Sequence, residues 1–274
     1  MRCAINTVCM PELTWSEALA ACKTAGFSRI ELLAVPGWVH VDARTAEAET
    51  LLTAAARIGV QYAGLHAGGI DGESDDTLAA SVEYLQHGLT LAGKLGCSRL
   101  VFTGAGLPAD LDERRQAQIR ARIANGLTEL ASRATALGIQ ICLENHYRCQ
   151  VETLDDYLAI FAALPAGAPV LATVDTGHFT ASGIDPADVV RGLKGRIGNV
   201  HMKDHIGTES VGLGYGHTDN AAVVRELKAM GYTGDLTVEL EVHDRANALR
   251  YVREAYPYVE ALIGATECTG VSHD

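Results

Sequence analysis

The sequence lacks a long apolar run, an apolar leader segment and an excess of positive charge. No stretch of its 274 residues approaches the apolar length of a membrane span, and the N-terminus has no small-residue cleavage site. The net charge of −12 opposes binding to nucleic acid or to an anionic membrane surface, because both depend on lysine and arginine. We therefore expect a cytoplasmic protein that binds neither nucleic acid nor membranes.

Cysteine pairs with metal-ligand spacing are also absent. The seven cysteines include no CxxC motif, and an odd number without such spacing is typical of a reduced cytosolic protein. We interpret these cysteines as small buried side chains rather than as nucleophiles.

Short apolar runs alternate with longer amphipathic stretches along the whole chain. The apolar runs predict strands at residues 3–9, 29–34, 60–66, 99–103, 140–144, 170–175, 197–203 and 236–242. The amphipathic stretches predict helices at residues 14–25, 45–58, 77–95, 112–137, 220–230 and 245–263. Five helical stretches end near a glycine that is followed directly by an apolar residue, which is typical of a helix-to-strand connection: Gly26, Gly59, Gly96, Gly138 and Gly231.

The number and order of these elements predict an α/β fold. Eight strands, seven intervening helical or loop segments and a final helix make eight βα units, which right-handed crossovers most simply close into a (β/α)8 TIM barrel. A doubly wound open sheet is the alternative. It would usually carry a glycine-rich phosphate loop after the first strand, and residues 6–11 contain none. No linker or low-complexity stretch divides the chain, so we expect a single domain over residues 1–274.

Four acidic or imidazole side chains lie where a predicted strand stops: Glu144, Asp175, His201 and Glu239. One carboxylate at a strand end is more often a helix cap or an ion-pair partner. Four in order on strands five to eight would meet at the C-terminal mouth of a barrel, close enough to hold one ion. Buried charges need a partner or a metal, and carboxylates with an imidazole suit Mn²⁺, Mg²⁺, Co²⁺ or Zn²⁺. The sequence therefore predicts a metalloenzyme with one divalent metal ion per chain, with Mn²⁺ preferred.

The segments around these residues resemble the sugar isomerase/epimerase superfamily, the xylose-isomerase-like TIM barrels that include ketose 3-epimerases, hydroxypyruvate isomerase and inosose dehydratase. The resemblance covers nearly the whole chain and implies that the same four residues hold one divalent cation. The matching segments are residues 143–146 (LENH), 174–179 (VDTGHF), 200–204 (VHMKD), 234–241 (GDLTVELE), 64–66 (GLH) and 212–214 (GLG).

The resemblance also implies a chemistry. It assigns Glu144 and the strand-eight glutamate the roles of catalytic base and acid, beside a cation that polarises the carbonyl of the substrate. Return of the proton to the same carbon on the opposite face gives epimerisation, and return to the next carbon gives aldose–ketose isomerisation. Loss of a β-hydroxyl gives dehydration. We expect a sugar isomerase or epimerase, with a dehydratase as the alternative, which acts on a small carbohydrate and forms a homodimer or homotetramer.

Two glutamates compete for the strand-eight position, because Glu239 and Glu241 are two residues apart and point to the same side of a strand. The ligand of the family follows the apolar pair directly, which favours Glu239. Glu241 would then lie nearer the mouth, where it either supports the metal ligands or binds substrate.

Four further side chains are candidates for binding substrate. His178 follows strand six at a position that matches the family, and His66 at the end of strand three is either a substrate contact or a core histidine. Lys203 is either an ion-pair partner of Glu239 or a contact to a substrate oxygen. Trp38 lies on a predicted mouth-side loop, where an aromatic ring commonly covers a sugar.

Two other functions are alternatives. An abasic-site endonuclease shares the barrel and several ligands, but it uses a zinc cluster and a histidine near the end of strand four, where this chain has Thr103 and Gly104. A non-catalytic sugar-binding subunit is the second alternative, and the intact ligand set argues against it.

Overall fold

Eight parallel strands close into a barrel in the computed structural model, which describes residues 1–37 and 40–265. With a two-stranded hairpin, the described residues form ten strands. In chain order they are β1 (Arg2–Asn6), β2 (Arg29–Leu33), β3 (Gln61–Ile70), β4 (Arg99–Gly104), β5 (Gln140–Glu144), β6 (Val170–Asp175), β7 (Ile197–Met202), β8 (Asp204–Ile206), β9 (Glu209–Val211) and β10 (Asp235–Val238). Strands β8 and β9 form a separate antiparallel hairpin. The other eight are hydrogen-bonded in the closed order β1-β10-β7-β6-β5-β4-β3-β2.

Helices follow the barrel strands and confirm the predicted (β/α)8 fold. They are α1 (Trp15–Thr24), α2 (Ala48–Ile58), α3 (Asp75–Leu95), α4 (Glu113–Leu137), α5 (Leu154–Ala163), α6 (Thr176–Ala181), α7 (Pro186–Gly192), α8 (Asn220–Ala229) and α9 (Ala248–Gly264). None of the helices within the described residues is long and apolar enough to cross a membrane.

Local sequence signals determine several helix boundaries. Ser74 and Thr153 begin α3 and α5 as N-caps, and each forms a reciprocal capping box with the residue three positions later. The five glycines predicted at helix ends all have a positive φ, between 66° and 108°. Because glycine has no Cβ, it adopts this left-handed conformation at least cost and lets the chain turn directly into the next strand.

The structure corrects the predicted limits of three strands. The prediction for the third strand ends at residue 66, but β3 continues to Ile70. The prediction for the first strand extends to residue 9, but β1 ends at Asn6, whose side chain accepts a hydrogen bond from the Val8 backbone and begins a 3₁₀ turn. The prediction for the last strand extends to residue 242, but β10 ends at Val238. The backbone N–H of Leu240 then donates to the sulfur of Cys9 instead of to a neighbouring strand. The hairpin β8–β9 and the helices α5, α6 and α7 are also absent from the predicted elements.

The barrel interior contains a buried ionic network below the mouth. Arg99 on β4 reaches across to Asp235 on β10, with Nη1 2.6 Å from Oδ2, and its Nε lies 3.3 Å from Oε2 of Glu31 on β2. Arg29 donates to the same aspartate at 2.8 Å, and Asn199 on β7 donates to Glu31 at 3.1 Å. The network satisfies charges that would otherwise be costly to bury, and it ends at Glu31, beneath the mouth.

Candidate active site

Four strand ends bring the predicted metal ligands together at the C-terminal mouth. Glu144 and Asp175 are the last residues of β5 and β6, His201 is the penultimate residue of β7, and Glu239 directly follows β10. All four side chains are buried, and one ligand atom from each lies within 4.8 Å of the others. The group has the spacing that one metal ion requires.

His201 lies at the centre of this group. Its Nδ1 contacts Oε1 of Glu144 and lies 3.2 Å from Oε2 of Glu239, while its Nε2 lies 2.7 Å from Oε1 of Glu31. Burial alone would lower the pKa of His201, but Glu144, Glu239 and Glu31 raise this pKa well above its ordinary value. The imidazole is therefore held between carboxylates on both of its nitrogens.

The Lys203 ammonium lies beside the same carboxylates and is fully buried. Its Nζ is 3.1 Å from Oδ2 of Asp175, 2.9 Å from Oε2 of Glu239 and 2.7 Å from Oε2 of Glu241. Burial alone would lower the pKa of Lys203, but these three carboxylates raise it well above its ordinary value. The structure thus gives Lys203 the contacts of an ion-pair partner of Glu239.

The crowded carboxylates fit a divalent cation. Burial raises the pKa of Asp175 to about 7; Lys203 acts in the opposite direction, and Glu239 and Glu144 add to the rise. Among the described residues, Oε2 of Glu144 is buried without a hydrogen-bond partner. A divalent cation would relieve the repulsion and satisfy that oxygen, and three carboxylates with one imidazole are suitable donors.

A second group of possible ligands overlaps the first and has similar spacing: Glu31, His66, His201 and Glu239. Both oxygens of Glu31 already have partners. Oε1 accepts from Asn6 at 3.0 Å and faces His201, while Oε2 accepts from Asn199 and faces Arg99. Because a carboxylate has about four acceptor positions, Glu31 has none left for a metal. The position that remains is on the Nδ1 side of His201, facing Glu144.

A third group with ligand spacing lies nearer to the mouth: His146, His178 and Glu241. The Lys203 ammonium lies between two of its members, 3.0 Å from Nε2 of His178 and 2.7 Å from Oε2 of Glu241. A cation of the protein itself therefore takes up this position, and a second metal ion there would have to displace it.

A cavity of about 440 Å³ opens onto the metal-ligand group. The carboxylates of Glu144, Glu239 and Glu241 and the ring of His66 line its polar side. Thr103, His146 and Cys149 add further polar groups. The other lining residues are apolar side chains or glycines: Val8, Leu33, Val35, Gly68, Gly69, Gly104, Ala105 and Gly106. The lining residues that the structure describes include no lysine and no arginine.

The predicted substrate-binding residues divide into two sets. His66 and Glu241 line the cavity, whereas His178 and Lys203 are buried behind it. The His178 ring packs against the ring of His146, with centroids 3.7 Å apart. Trp38 lies outside the described residues. The roles of these side chains in binding substrate stay predictions.

Sequence reasoning missed Glu31 and Asn6. Glu31 is a charge inside the apolar run of β2, which is the same kind of signal that pointed to the four ligands. A search for charges at strand ends does not select it, because it lies in the middle of its strand. Asn6 joins Glu31 to Glu239, since its Nδ2 lies 3.0 Å from an oxygen of each.

Comparison with known sequences gives two kinds of relatives. The sequence profile of xylose isomerase-like TIM barrels matches residues 19–262. An L-ribulose 3-epimerase of Mesorhizobium japonicum is 28% identical over 231 residues, which cover 81% of this chain and 73% of the relative. An inosose dehydratase of Lacticaseibacillus casei is 28% identical over 161 residues, which cover 51% of this chain and 53% of the relative. The chain therefore spans about half the length of the inosose dehydratases that it matches.

Solved structures share the barrel over nearly its whole length. An L-ribulose 3-epimerase structure has a TM-score of 0.77 at 21% identity, and the match covers 100% of this chain and 99% of that one. A structure described as an IOLI protein with a bound zinc atom has a TM-score of 0.80 at 19% identity, covering 96% and 98% of the two chains. At these identities the likeness establishes a common fold.

Proposed function

We propose, because the chain belongs to the family of xylose isomerase-like TIM barrels, that it is a divalent-metal-dependent isomerase or epimerase. Its substrate would be a keto-sugar or a related polyol ketone, and its reaction would move a proton on the carbon next to the carbonyl. One observation carries the proposal: three buried carboxylates and one imidazole converge at the mouth, beside a cavity that two of the carboxylates line. Relatives by sequence are named as epimerases and dehydratases.

Glu144, Asp175, His201 and Glu239 would hold the cation. When bound, a divalent cation at this position polarises a carbonyl and the neighbouring hydroxyl, which lowers the cost of removing a proton from the adjacent carbon. We favour Mn²⁺, because the donors are three hard carboxylate oxygens and one imidazole nitrogen.

Glu144 and Glu239 are the candidates for moving the proton. Both line the cavity, and His66 lies between them, with its Nε2 3.6 Å from Oε2 of Glu144 and its Nδ1 3.5 Å from Oε1 of Glu239. Glu144 lines the cavity, so its carboxylate is placed to accept a proton from a substrate bound there. Glu239 would return a proton from the other side, which gives inversion at one carbon.

The cavity favours an uncharged substrate. Its described lining includes three carboxylates, two histidines and no lysine or arginine. Burial would lower the pKa of His146, but Cys149 raises it to about 9, so this imidazole adds a positive charge that the three carboxylates outnumber. A phosphate ester or a sugar acid would therefore meet more negative than positive charge on the protein. Two basic side chains close to the cavity are already paired: Lys203 with three carboxylates, and Arg245, which lines a neighbouring cavity, with Glu12. Free ketoses and inososes fit this lining better than their charged derivatives.

Dehydration is the second candidate, and the inosose dehydratases among the relatives favour it. The first step would be the same proton removal, followed by loss of a hydroxyl from the next carbon. The two reactions therefore need the same base and differ in where the electrons of the broken C–H bond go.

A solvent-isotope experiment tests the proposal. The Mn²⁺-loaded protein would be incubated in D₂O with free ketoses, inososes and their phosphate esters, and the products would be analysed by NMR and mass spectrometry. We expect deuterium at the carbon next to the carbonyl, because a proton on a carboxylate can exchange with solvent before it returns. An epimer or isomer as product would identify the first candidate, and an unsaturated or deoxy product would identify the dehydratase.

Two variants provide the controls. Glu144→Gln should abolish deuterium incorporation, whereas Glu129→Gln, which changes an exposed glutamate on α4, should leave it unchanged. Early product free of solvent deuterium would contradict the proton transfer and indicate a hydride shift. Binding of these compounds without any turnover would instead support a non-catalytic sugar-binding protein.

A further inference from the structure

We propose that Glu31 is a positioning residue for the metal site: its carboxylate holds the proton of His201 on Nε2, so that Nδ1 faces the cation. The inference rests on the proposed metal site and names a residue outside the predicted ligand set. Glu31 lies on β2 and His201 on β7, three strands away around the closed barrel, and the two residues are 170 positions apart in the sequence.

The contact between the two side chains is short and buried. Oε1 of Glu31 lies 2.7 Å from Nε2 of His201, and neither side chain is exposed to solvent. A carboxylate accepts hydrogen bonds and donates none, so this contact requires a proton on Nε2. A cation on Nδ1 would replace the proton there, and the proton held on Nε2 by Glu31 would leave the lone pair of Nδ1 toward Glu144 and Glu239.

Glu31 is itself held in place from three directions. Asn6 donates to Oε1 at 3.0 Å, Asn199 donates to Oε2 at 3.1 Å, and the Arg99 guanidinium lies 3.3 Å from Oε2. All three of these partners are donors, so the carboxylate acts as an acceptor through both oxygens and cannot rotate without breaking other contacts.

The surrounding backbone leaves room for this arrangement. A Cβ atom at Gly64 on β3 would lie 3.0 Å from Nε of Arg99 and 3.1 Å from Oε2 of Glu31. Glycine at this position lets the guanidinium and the carboxylate approach each other. The ionic network of the barrel interior thus continues from Asp235 through Arg99 and Glu31 to the imidazole.

Two roles for Glu31 need to be separated. As a purely structural partner of Arg99, it would affect folding stability and leave the metal site unchanged. As a positioning residue, it fixes the orientation of a ligand and increases its basicity, and loss of such a group typically weakens metal binding by about 10- to 100-fold. Asp235 provides the matched control, because it is a buried carboxylate that pairs with Arg99 and has no contact with His201.

The experiment compares Mn²⁺ affinity in wild type, Glu31→Gln and Asp235→Asn, measured by calorimetry on protein whose fold is verified by circular dichroism. We expect Glu31→Gln to raise the Mn²⁺ dissociation constant by about 10- to 100-fold. Asp235→Asn should lower the unfolding midpoint and leave the dissociation constant unchanged.

A second measurement needs no variant. In wild-type protein loaded with diamagnetic Zn²⁺, a long-range ¹H–¹⁵N NMR spectrum should show the His201 proton on Nε2. A proton on Nδ1 would overturn the inference, and so would a folded Glu31→Gln variant with the affinity of wild type. Both results leave the proposed function in place, whereas failure of the wild-type protein to bind Mn²⁺ or Zn²⁺ would overturn the inference and the proposed function together.

Discussion

Two glutamates that are neighbours on one face of the chain have different surroundings. Glu239 is buried, and it contacts His201, Lys203 and Asn6. The Glu241 side chain is 35% exposed, and its closest charged partner is the Lys203 ammonium. Because a metal ligand must be held among the other ligands, Glu239 has the surroundings of a ligand and Glu241 those of a residue at the edge of the cavity.

Substitution of each glutamate should therefore have a different effect. Glu239→Gln removes a ligand and should weaken Mn²⁺ binding by more than the roughly 10- to 100-fold that is typical of supporting groups, and it should abolish turnover. Glu241→Gln should keep the metal and raise KM. Elemental analysis of the purified variants and steady-state kinetics measure both effects. The reverse ranking would mean that Glu241 is the ligand.

At the scale of elements, the N-terminal ends of four barrel strands share one buried aspartate. Asp235 begins β10 and pairs with three arginines, each of which begins a strand: Arg2 on β1, Arg29 on β2 and Arg99 on β4. Ion pairs at this end of a barrel lie away from the catalytic face, where they contribute to stability. The buried geometry makes the loss of the aspartate costly, because the guanidinium groups of Arg29 and Arg99, which are mostly buried, would lose this counter-charge.

We predict that Asp235→Ala lowers the free energy of unfolding by about 3–5 kcal/mol, the range for breaking a buried ion pair. Glu73→Ala is the control, because Glu73 forms an exposed pair with Arg115 and such pairs contribute less than about 1 kcal/mol. Urea unfolding followed by circular dichroism measures both values. Equal effects of the two substitutions would contradict the assignment of Asp235 to the stability of the barrel.

The same aspartate predicts a dependence on pH. Burial would raise the pKa of Asp235, but Arg29 and Arg99 hold it below its ordinary value. The ion pairs therefore contribute fully above the unfolded-state pKa, and this contribution is lost as the pH falls through the lower folded-state pKa. Wild type should lose more stability than Asp235→Ala on acidification, which unfolding curves at neutral and acidic pH would show.

At the scale of the whole molecule, closure of the barrel brings three carboxylates into one buried space. Their mutual repulsion is compensated by Lys203 and His201, and a divalent cation would compensate it further. Any ligand that binds only the folded state stabilises it, by about 2.7 kcal/mol at a concentration of 100 Kd. Metal binding and global stability should therefore be linked.

We predict that a chelator lowers Tm and that Mn²⁺ at about 100 Kd restores it, with a difference of roughly 5–10 °C for a chain of this size. Asp175→Asn should abolish the Mn²⁺-dependent difference, because it removes a ligand charge while keeping the helix-capping oxygen. Asp155→Asn, which changes an exposed aspartate on α5, is the control and should retain it. Differential scanning fluorimetry measures all three proteins. A Tm that does not respond to Mn²⁺ would contradict a tightly held cation.

The fold and the position of the candidate site could be predicted from local features of the sequence. The change between strand and helix periods and the glycines at helix ends depend on neighbouring residues, so they indicated eight βα units. The exact ends of strands could not be predicted in the same way. Strand β10 ends at Val238 because Leu240 bonds to Cys9, a residue more than 200 positions earlier.

The sequence by itself determined the order of the elements and which charged side chains lie at the ends of β5, β6, β7 and β10, because both follow from local pattern and from the common direction of parallel strands. Only the tertiary structure decided which nitrogen of His201 faces Glu31, that Lys203 is fully paired, and that Glu241 is partly exposed. These properties depend on distances between atoms of distant strands. Closure of the barrel sets those distances, and no local pattern in the chain encodes them.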